Sequence, residues 1–163
     1  MAFIAGKYDA TFANVATGQI EDGYEIEHSV SQEDIVGQDM GDSVQDGVYR
    51  GGNMFISFTL LEFSISSAML SLWWMHSNTL GRMGKIGTLI QQNFAQSLVL
   101  TALAGTPAAG GGAVGSLTAA KCCWAPNFDV RILFAPRLRR VPLRLRLYPY
   151  SDGASNNVWF STT

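Results

Sequence analysis

The chain has little charge for its length. Of its 163 residues only 15% are charged, well under the roughly 25% usual for soluble domains, so a large share of the folded surface is expected to be uncharged. Interface cores are depleted in charge in the same way, which makes self-association the natural expectation. Long apolar runs are also missing. The most apolar stretch, Ile65 to Met75, is interrupted by serine and falls far short of the about 20 residues a spanning helix needs. No membrane binding is expected. The start, Met1 to Asp9, has neither a basic segment nor a long apolar segment, so no cleaved secretory signal is expected and synthesis is placed in a cytoplasm.

Chemistry-bearing residues are equally sparse. His28 and His76 are the two histidines, and neither has a second metal ligand at a recognisable spacing, which argues against a zinc site. Cys122 and Cys123 are adjacent. On a strand neighbouring side chains point to opposite faces, so a bond between them is geometrically poor and both read as small apolar fillers in preference to an intermolecular or reactive thiol. Gly84-Lys85-Ile86 lacks the hydroxyl residue after the lysine and the upstream glycine of a phosphate loop, and the Gly110 to Gly115 run lacks strand-to-helix context. No cofactor is implied. With no activated nucleophile, metal set or placed acid/base pair, an enzyme is the least favoured class.

What is present is a division of charge. Met1 to Glu62 holds eleven of the thirteen acids but only Lys7 and Arg50, whereas Phe63 to Thr163 holds nine bases against Asp129 and Asp152. The two parts stand near −9 and +7 in a chain of net charge −2. Only part of that polarity can be neutralised internally, so surfaces attracting the opposite surface of another copy are expected.

The pattern along the chain is that of strands. Lys7 to Phe12 is a short strand with Tyr8, Ala10 and Phe12 on one face, and Asn14 to Gly18 is a turn closing a hairpin. From Tyr24 the order alternates strictly, setting Tyr24, Ile26, His28 and Val30 on one face and Glu25, Glu27 and Ser29 on the other. Glu25 and Glu27 stand roughly 7 Å apart. That is near the spacing of paired catalytic acids, although a solvated outer face accounts for them better. Between Ser31 and Asn53 the pattern dissolves into glycine and aspartate. This segment reads as a projecting loop in preference to a hairpin of its own.

Met54 to Phe63 is nearly continuous in apolar residues and threonine and reads as a central strand covered on both faces. Ser64 or Ser66 then caps a helix through Ser77, apolar around most of its circumference and so buried on several sides. Trp73 and Trp74 on it read as packing or interface anchors in preference to a ligand platform. Ser97 to Ala104 reads as a strand, Gly105 to Gly115 as a flexible loop, and Ser116 to Ala120 as one helical turn. Asp129 to Phe134 and Leu143 to Tyr148 are further strands, with Val158 to Ser161 a weaker one. In the second of these the leucines face a core while Arg144 and Arg146 share the opposite face. Arg137, Arg139, Arg140, Arg144 and Arg146 form the one basic cluster, suited either to phosphates or to the acidic part of another copy. The sum is a single mainly β domain over residues 1–163: an antiparallel sandwich or small barrel with one flanking helix and a long projecting loop.

The order of these signals carries a resemblance. It runs through Glu21-Asp22-Gly23-Tyr24-Glu25-Ile26-Glu27-His28, the loop ending Asp42-Ser43 and Asp46-Gly47-Val48-Tyr49-Arg50-Gly51, the strand Phe55-Ile56-Ser57-Phe58-Thr59-Leu60-Leu61-Glu62 with its helix, and Val141-Pro142-Leu143-Arg144-Leu145-Arg146-Leu147-Tyr148-Pro149-Tyr150. Together these resemble the tail tube proteins of tailed bacteriophages over most of the chain. The resemblance implies a β-sandwich or small barrel that forms hexameric rings, stacked into a hollow tube through which DNA passes. The implied partners are further copies of the chain and other tail proteins, with DNA only as passing cargo. The implied location is the virion tail, assembled in the bacterial cytoplasm. In that family a long loop reaches the adjacent ring, which on this chain is Val36 to Asn53, and the lumen is negative, which suits Glu25 and Glu27. The contact candidates are Asp39, Asp42, Asp46, Arg50, Trp73, Trp74, Arg137, Arg139 and Arg140. Other ring proteins of virions or of contractile injection machines share these features, and a carbohydrate-binding β-sandwich is the alternative from another class.

Overall fold

The computed structural model describes residues 7–37, 41, 43–61, 87, 89–104, 115–129, 140–154 and 157–162. Within them antiparallel β structure dominates. Strand β1 (Tyr8–Phe12) buries Ala10 and Phe12, and pairs with the two-residue β2 (Val15–Ala16). The expected hairpin is present, but its turn is Ala13–Asn14, and part of the turn expected over Asn14–Gly18 is strand β2. Ala13 and Asn14 between them both have positive φ, 49° and 65°, as a two-residue turn matched to strand twist requires.

Strands β3 (Ile20–Val36) and β4 (Val44–Leu60) are 17 residues each and pair along their whole length, from Ile20 opposite Leu60 to Val36 opposite Val44. The segment expected to be a projecting loop is therefore a projecting hairpin. Its strands were hidden because alternation records burial, and from Glu25 to Val36 every β3 side chain is exposed. Register shifts at Ser31/Gln32 and Ile35/Val36 also break the phase. A third shift, between Glu21 and Glu25, places Asp22 and Gly23 at φ of 61° and 90°. Glycine suits the second position because a side chain there is strained.

The body half of β4 buries Met54, Ile56, Phe58 and Leu60, while Phe55, Ser57 and Thr59 are half-buried. One face of this strand, and not both, enters the core. A four-residue helix α1 (Ile90–Asn93) precedes β5 (Gln96–Ala102), which buries Leu98 and Leu100. The helical turn expected over Ser116–Ala120 is instead the start of strand β6 (Ser116–Trp124). Leu117 and Ala119 alternate inward there, and the backbone pairs with β5 on one side. A bulge between the Leu98/Ala119 and Gln96/Cys122 pairs then shifts the phase, so Cys122 continues the inward row. Cys122 and Cys123 are both buried and both free.

Strand β7 (Val141–Leu147) buries Val141, Leu143, Leu145 and Leu147, as its alternation predicts. The tail adds β8 (Tyr150–Ser151), β9 (Asn157–Val158) and β10 (Ser161–Thr162), so the weak strand expected over Val158–Ser161 is divided between two short ones. The main sheet has the order β2-β1-β5-β6-β7-β4-β3, with β10 also on β6, and β8 pairs with β9 apart from it. Phe12 on β1 and Ile56 on β4 share one core cluster although three strands separate them in the sheet. The sheet must curl to allow this, in keeping with the barrel-like expectation. At its two ends the buried Thr17 hydroxyl donates to the Ala10 carbonyl at 3.2 Å and lies 3.5 Å from the Tyr24 hydroxyl. The ring of Tyr24 in turn packs on Phe58, 5.1 Å between centroids.

The helix expected over Ser64–Ser77 and the loop over 105–114 lie outside the described residues. So does all of the strand expected at Asp129–Phe134 except Asp129.

Candidate assembly surface

Beyond the body, β3 and β4 continue as a two-stranded ribbon. The register sorts its side chains into two faces. The face continuous with the core carries Ile26, His28, Val30, Gln32, Asp34 and Val36, opposite Ile56, Met54, Gly52, Tyr49, Gly47 and Val44 in that order. Val30 is 59% exposed and Tyr49 56%, and Ile26, Val36 and Val44 are exposed beside them. Exposed apolar side chains thus continue from the core face onto the ribbon, covered at the base where Trp159 packs on His28 and interrupted further out by Gln32, Asp34 and Gly47.

Polar contacts accompany the strand pairing of the ribbon, one of them between the strands and two within a strand. Arg50 on β4 is ion-paired with Glu33 on β3. The Gln32 amide donates to Asp34 at 3.0 Å, and Asp46 accepts from the Gly47 amide at 2.7 Å. At its base His28 packs on Trp159, 5.4 Å between ring centroids. Gly52 is required here because a Cβ would strike the Ser29 carbonyl oxygen.

The opposite face of β3, β4 and β7 is a charged surface. Across it run two rows, Glu25–Ser57–Arg144 and Glu27–Phe55–Arg146. Arg144 reaches diagonally to Glu27, donating at 2.5 Å, and its guanidinium carbon stands 4.4 Å from the Phe55 ring centroid. Arg146 donates to the Asn53 side-chain oxygen at 2.5 Å and lies 5.5 Å from the Tyr148 ring centroid. Arg140 pairs with Glu21 at 2.9 Å. Glu21–Arg140 and Glu27–Arg144 join the acidic part of the chain to the basic part, so some of the charge division is satisfied within one copy. An open groove of about 440 Å³ lies beside these pairs, at the Asp22–Gly23 bulge, lined also by Tyr24, Phe128, Pro142 and Arg144.

The sequence-derived candidates fall unevenly on this framework. Asp46 and Arg50 are on the ribbon, Arg140 precedes β7, and Glu25 and Glu27 lie on the outer face as the alternation predicts. Asp39, Asp42, Trp73, Trp74, Arg137 and Arg139 lie outside the described residues. Val30, Tyr49, Phe55 and Tyr148 were not singled out. Their strand register is what makes them neighbours of the surface, and register is not written in spacing along the chain.

Among the described residues no group of three or more histidine, cysteine or acidic side chains gathers to hold a metal. Burial pushes the thiols of Cys122 and Cys123 up, away from the thiolate form a nucleophile needs. Burial likewise raises the Tyr24 hydroxyl, against the lowering effect of its contact with Thr17. No protein-family model matches the chain, and no curated protein sequence matches it either.

Proposed function

We propose that this chain is a structural subunit that assembles into rings, hexameric by the family resemblance, which stack as the tube of a bacteriophage tail. The observation that carries the reading is the ribbon: an arm of paired strands exposed on both faces, with Val30, Tyr49, Val36 and Val44 exposed on one and Ile35 and Val48 on the other. Several large apolar side chains exposed together on one arm support an interaction site there. Among the described residues strand β3 is also a terminal strand of its sheet, and a free edge invites another strand. An arm and an edge that meet different surfaces of a neighbouring copy give a heterologous contact, which closes into rings or propagates along an axis. Other tail proteins would cap such a tube, and DNA would pass through it.

Sedimentation and electron microscopy of the purified protein test this. Rings or tubes are expected, and Val30→Ser with Tyr49→Ser is expected to give a folded subunit that no longer assembles. A wild-type protein that stays monomeric over a wide range of concentration and salt, with no ring or tube in the parent particle, overturns the reading.

A further inference from the structure

Three aspartates in the chain are followed directly by glycine: Asp22, Asp46 and Asp152. At such a step the glycine amide nitrogen can attack the aspartate side-chain carbon, because no side chain on the second residue shields the nitrogen or restricts the rotation that brings the two together. The fold sets the three steps in different surroundings.

Asp46 lies on the outer half of β4, exposed, opposite Ile35 and beside the register shift at Ile35/Val36. Its Oδ1 accepts from the Gly47 amide at 2.7 Å. The carboxyl carbon is one bond from that oxygen and is therefore held close to the nitrogen that would attack it. Gly47 is exposed as well, and a Cβ there would meet nothing nearer than 3.6 Å. Paired strands with both faces in water open locally at small cost, which frees the final rotation. At Asp152 the carboxylate is turned past its glycine to accept from the Ala154 amide at 2.8 Å, while the Gly153 amide faces the Ser151 hydroxyl at 3.4 Å. Asp22 and Gly23 sit in the bulge of the body at φ of 61° and 90°. Asp22 makes no described hydrogen bond to the Gly23 amide.

We infer that Asp46–Gly47 is a modification site, a step at which the free subunit converts spontaneously to isoaspartate. The Gly47 nitrogen bonds to the Asp46 side-chain carbon, and the carboxyl hydroxyl leaves with the amide proton as water, closing a cyclic imide. Water then adds to one of the two ring carbonyls. Addition at the side-chain carbon restores aspartate, whereas addition at the main-chain carbon leaves the chain running through the side chain, with the carboxylate on Cα. No atom or charge is gained or lost, and nothing is oxidised or reduced. The main chain is longer by one atom, which displaces the pairing on one side of the step relative to the other. Val44 on one side, and Val48 and Tyr49 on the other, then no longer keep their places together opposite Val36, Glu33 and Gln32. The chemistry rests on the ribbon alone, and its consequence for assembly rests on the tube reading.

Purified protein kept dilute in mildly acidic buffer at physiological temperature and sampled over days tests it. Isoaspartate is read by enzymatic methyl-ester labelling and located by peptide mapping with electron-transfer fragmentation. Asp46 is expected to be labelled severalfold faster than Asp22 or Asp152. In urea the three are expected to react at similar rates, because the geometry that separates them is gone. Gly47→Ala is expected to slow labelling at Asp46 severalfold and to leave the other two sites unchanged. Asp46→Glu keeps the charge and is expected to abolish labelling at that position, which keeps the test open if Gly47→Ala disturbs the arm. Where rings form, aged wild type is expected to assemble less completely than aged Asp46→Glu.

The inference is overturned if the folded protein labels the three sites at equal rates, or if Gly47→Ala and Asp46→Glu leave labelling in that peptide unchanged. It is equally overturned if Asp46 leads by the same margin in urea, since neighbouring sequence and not the fold would then set its rate. Labelled wild type that assembles as well as aged Asp46→Glu overturns the effect on assembly. Labelling at Asp46 in a protein that forms no rings sinks the tube reading and leaves the modification site standing. Rings from a protein never labelled at Asp46 do the reverse.

Discussion

Arg144 on β7 crosses the intervening strand to meet Glu27 on β3 at 2.5 Å, with the ring of Phe55 on β4 beneath it. One side chain thereby ties three strands together on the side of the sheet away from the core. The two charged groups are 37% and 45% exposed, so the ion pair itself contributes little. A double-mutant cycle of Arg144→Ala and Glu27→Ala is expected to give a coupling of at most about 1 kcal/mol. Arg144→Ala is expected to lower the melting temperature more than Glu27→Ala, because its stem and guanidinium also cover Phe55. Equal effects of the two would show that the ring contact adds nothing.

Leu145 and Arg146 are neighbours on β7 with opposite surroundings, one fully buried and one half-exposed. Leu145→Ala is expected to cost about 2–5 kcal/mol in urea denaturation through lost contacts and a residual cavity. Arg146→Ala is expected to cost under about 1 kcal/mol.

Gly52 and Gly47 both lie in the ribbon, but only the first faces a close neighbour. A Cβ at Gly52 would meet the Ser29 carbonyl oxygen, with His28 Nε2 at 3.2 Å, whereas at Gly47 the nearest atoms are at 3.6 Å. Gly52→Ala is therefore expected to spread the strands and raise amide exchange along the arm. Gly47→Ala should leave exchange unchanged, and the body should stay protected in both.

Stability should fall in alkali. Burial raises the thiols of Cys122 and Cys123 above their ordinary 9.0 and the hydroxyls of Tyr24 and Tyr148 above 10.0. The folded protein thus keeps protons that the unfolded chain releases. Their contribution is whole below about pH 9 and is lost as the pH rises through the folded values. Melting temperatures measured from pH 7 to 11 should decline from about pH 9 upward, and less steeply in Cys122→Ala.

Legibility from sequence followed burial. Strand β7 was readable because its leucines alternate into the core, and the first part of β3 because Tyr24 and Ile26 alternate with Glu25 and Glu27. The ribbon was not, because a strand with both faces in water has no reason to alternate. β6 failed for another reason: Ser116 to Ala120 is small and mixed in polarity, and the following bulge shifts the inward row onto Cys122. Of the surface, the shared side of Glu25 and Glu27 was visible in local order. Their partners were not, since Arg140 and Arg144 arrive through the pairing of β4 with β7, a relation between distant parts of the chain.

That pairing also sets an order of events. β3 and β4 are adjacent along the chain, but Met54 on β4 waits for Leu147, and Tyr8 on β1 waits for Ala102. Closing such distant pairs is the slow part of folding. A chain leaving the ribosome can zip its arm while the core residues of β4 still lack their cover. Newly made chains therefore display both the finished, exposed ribbon and an unfinished interior at once. At high expression, premature association competes directly with completion of the body.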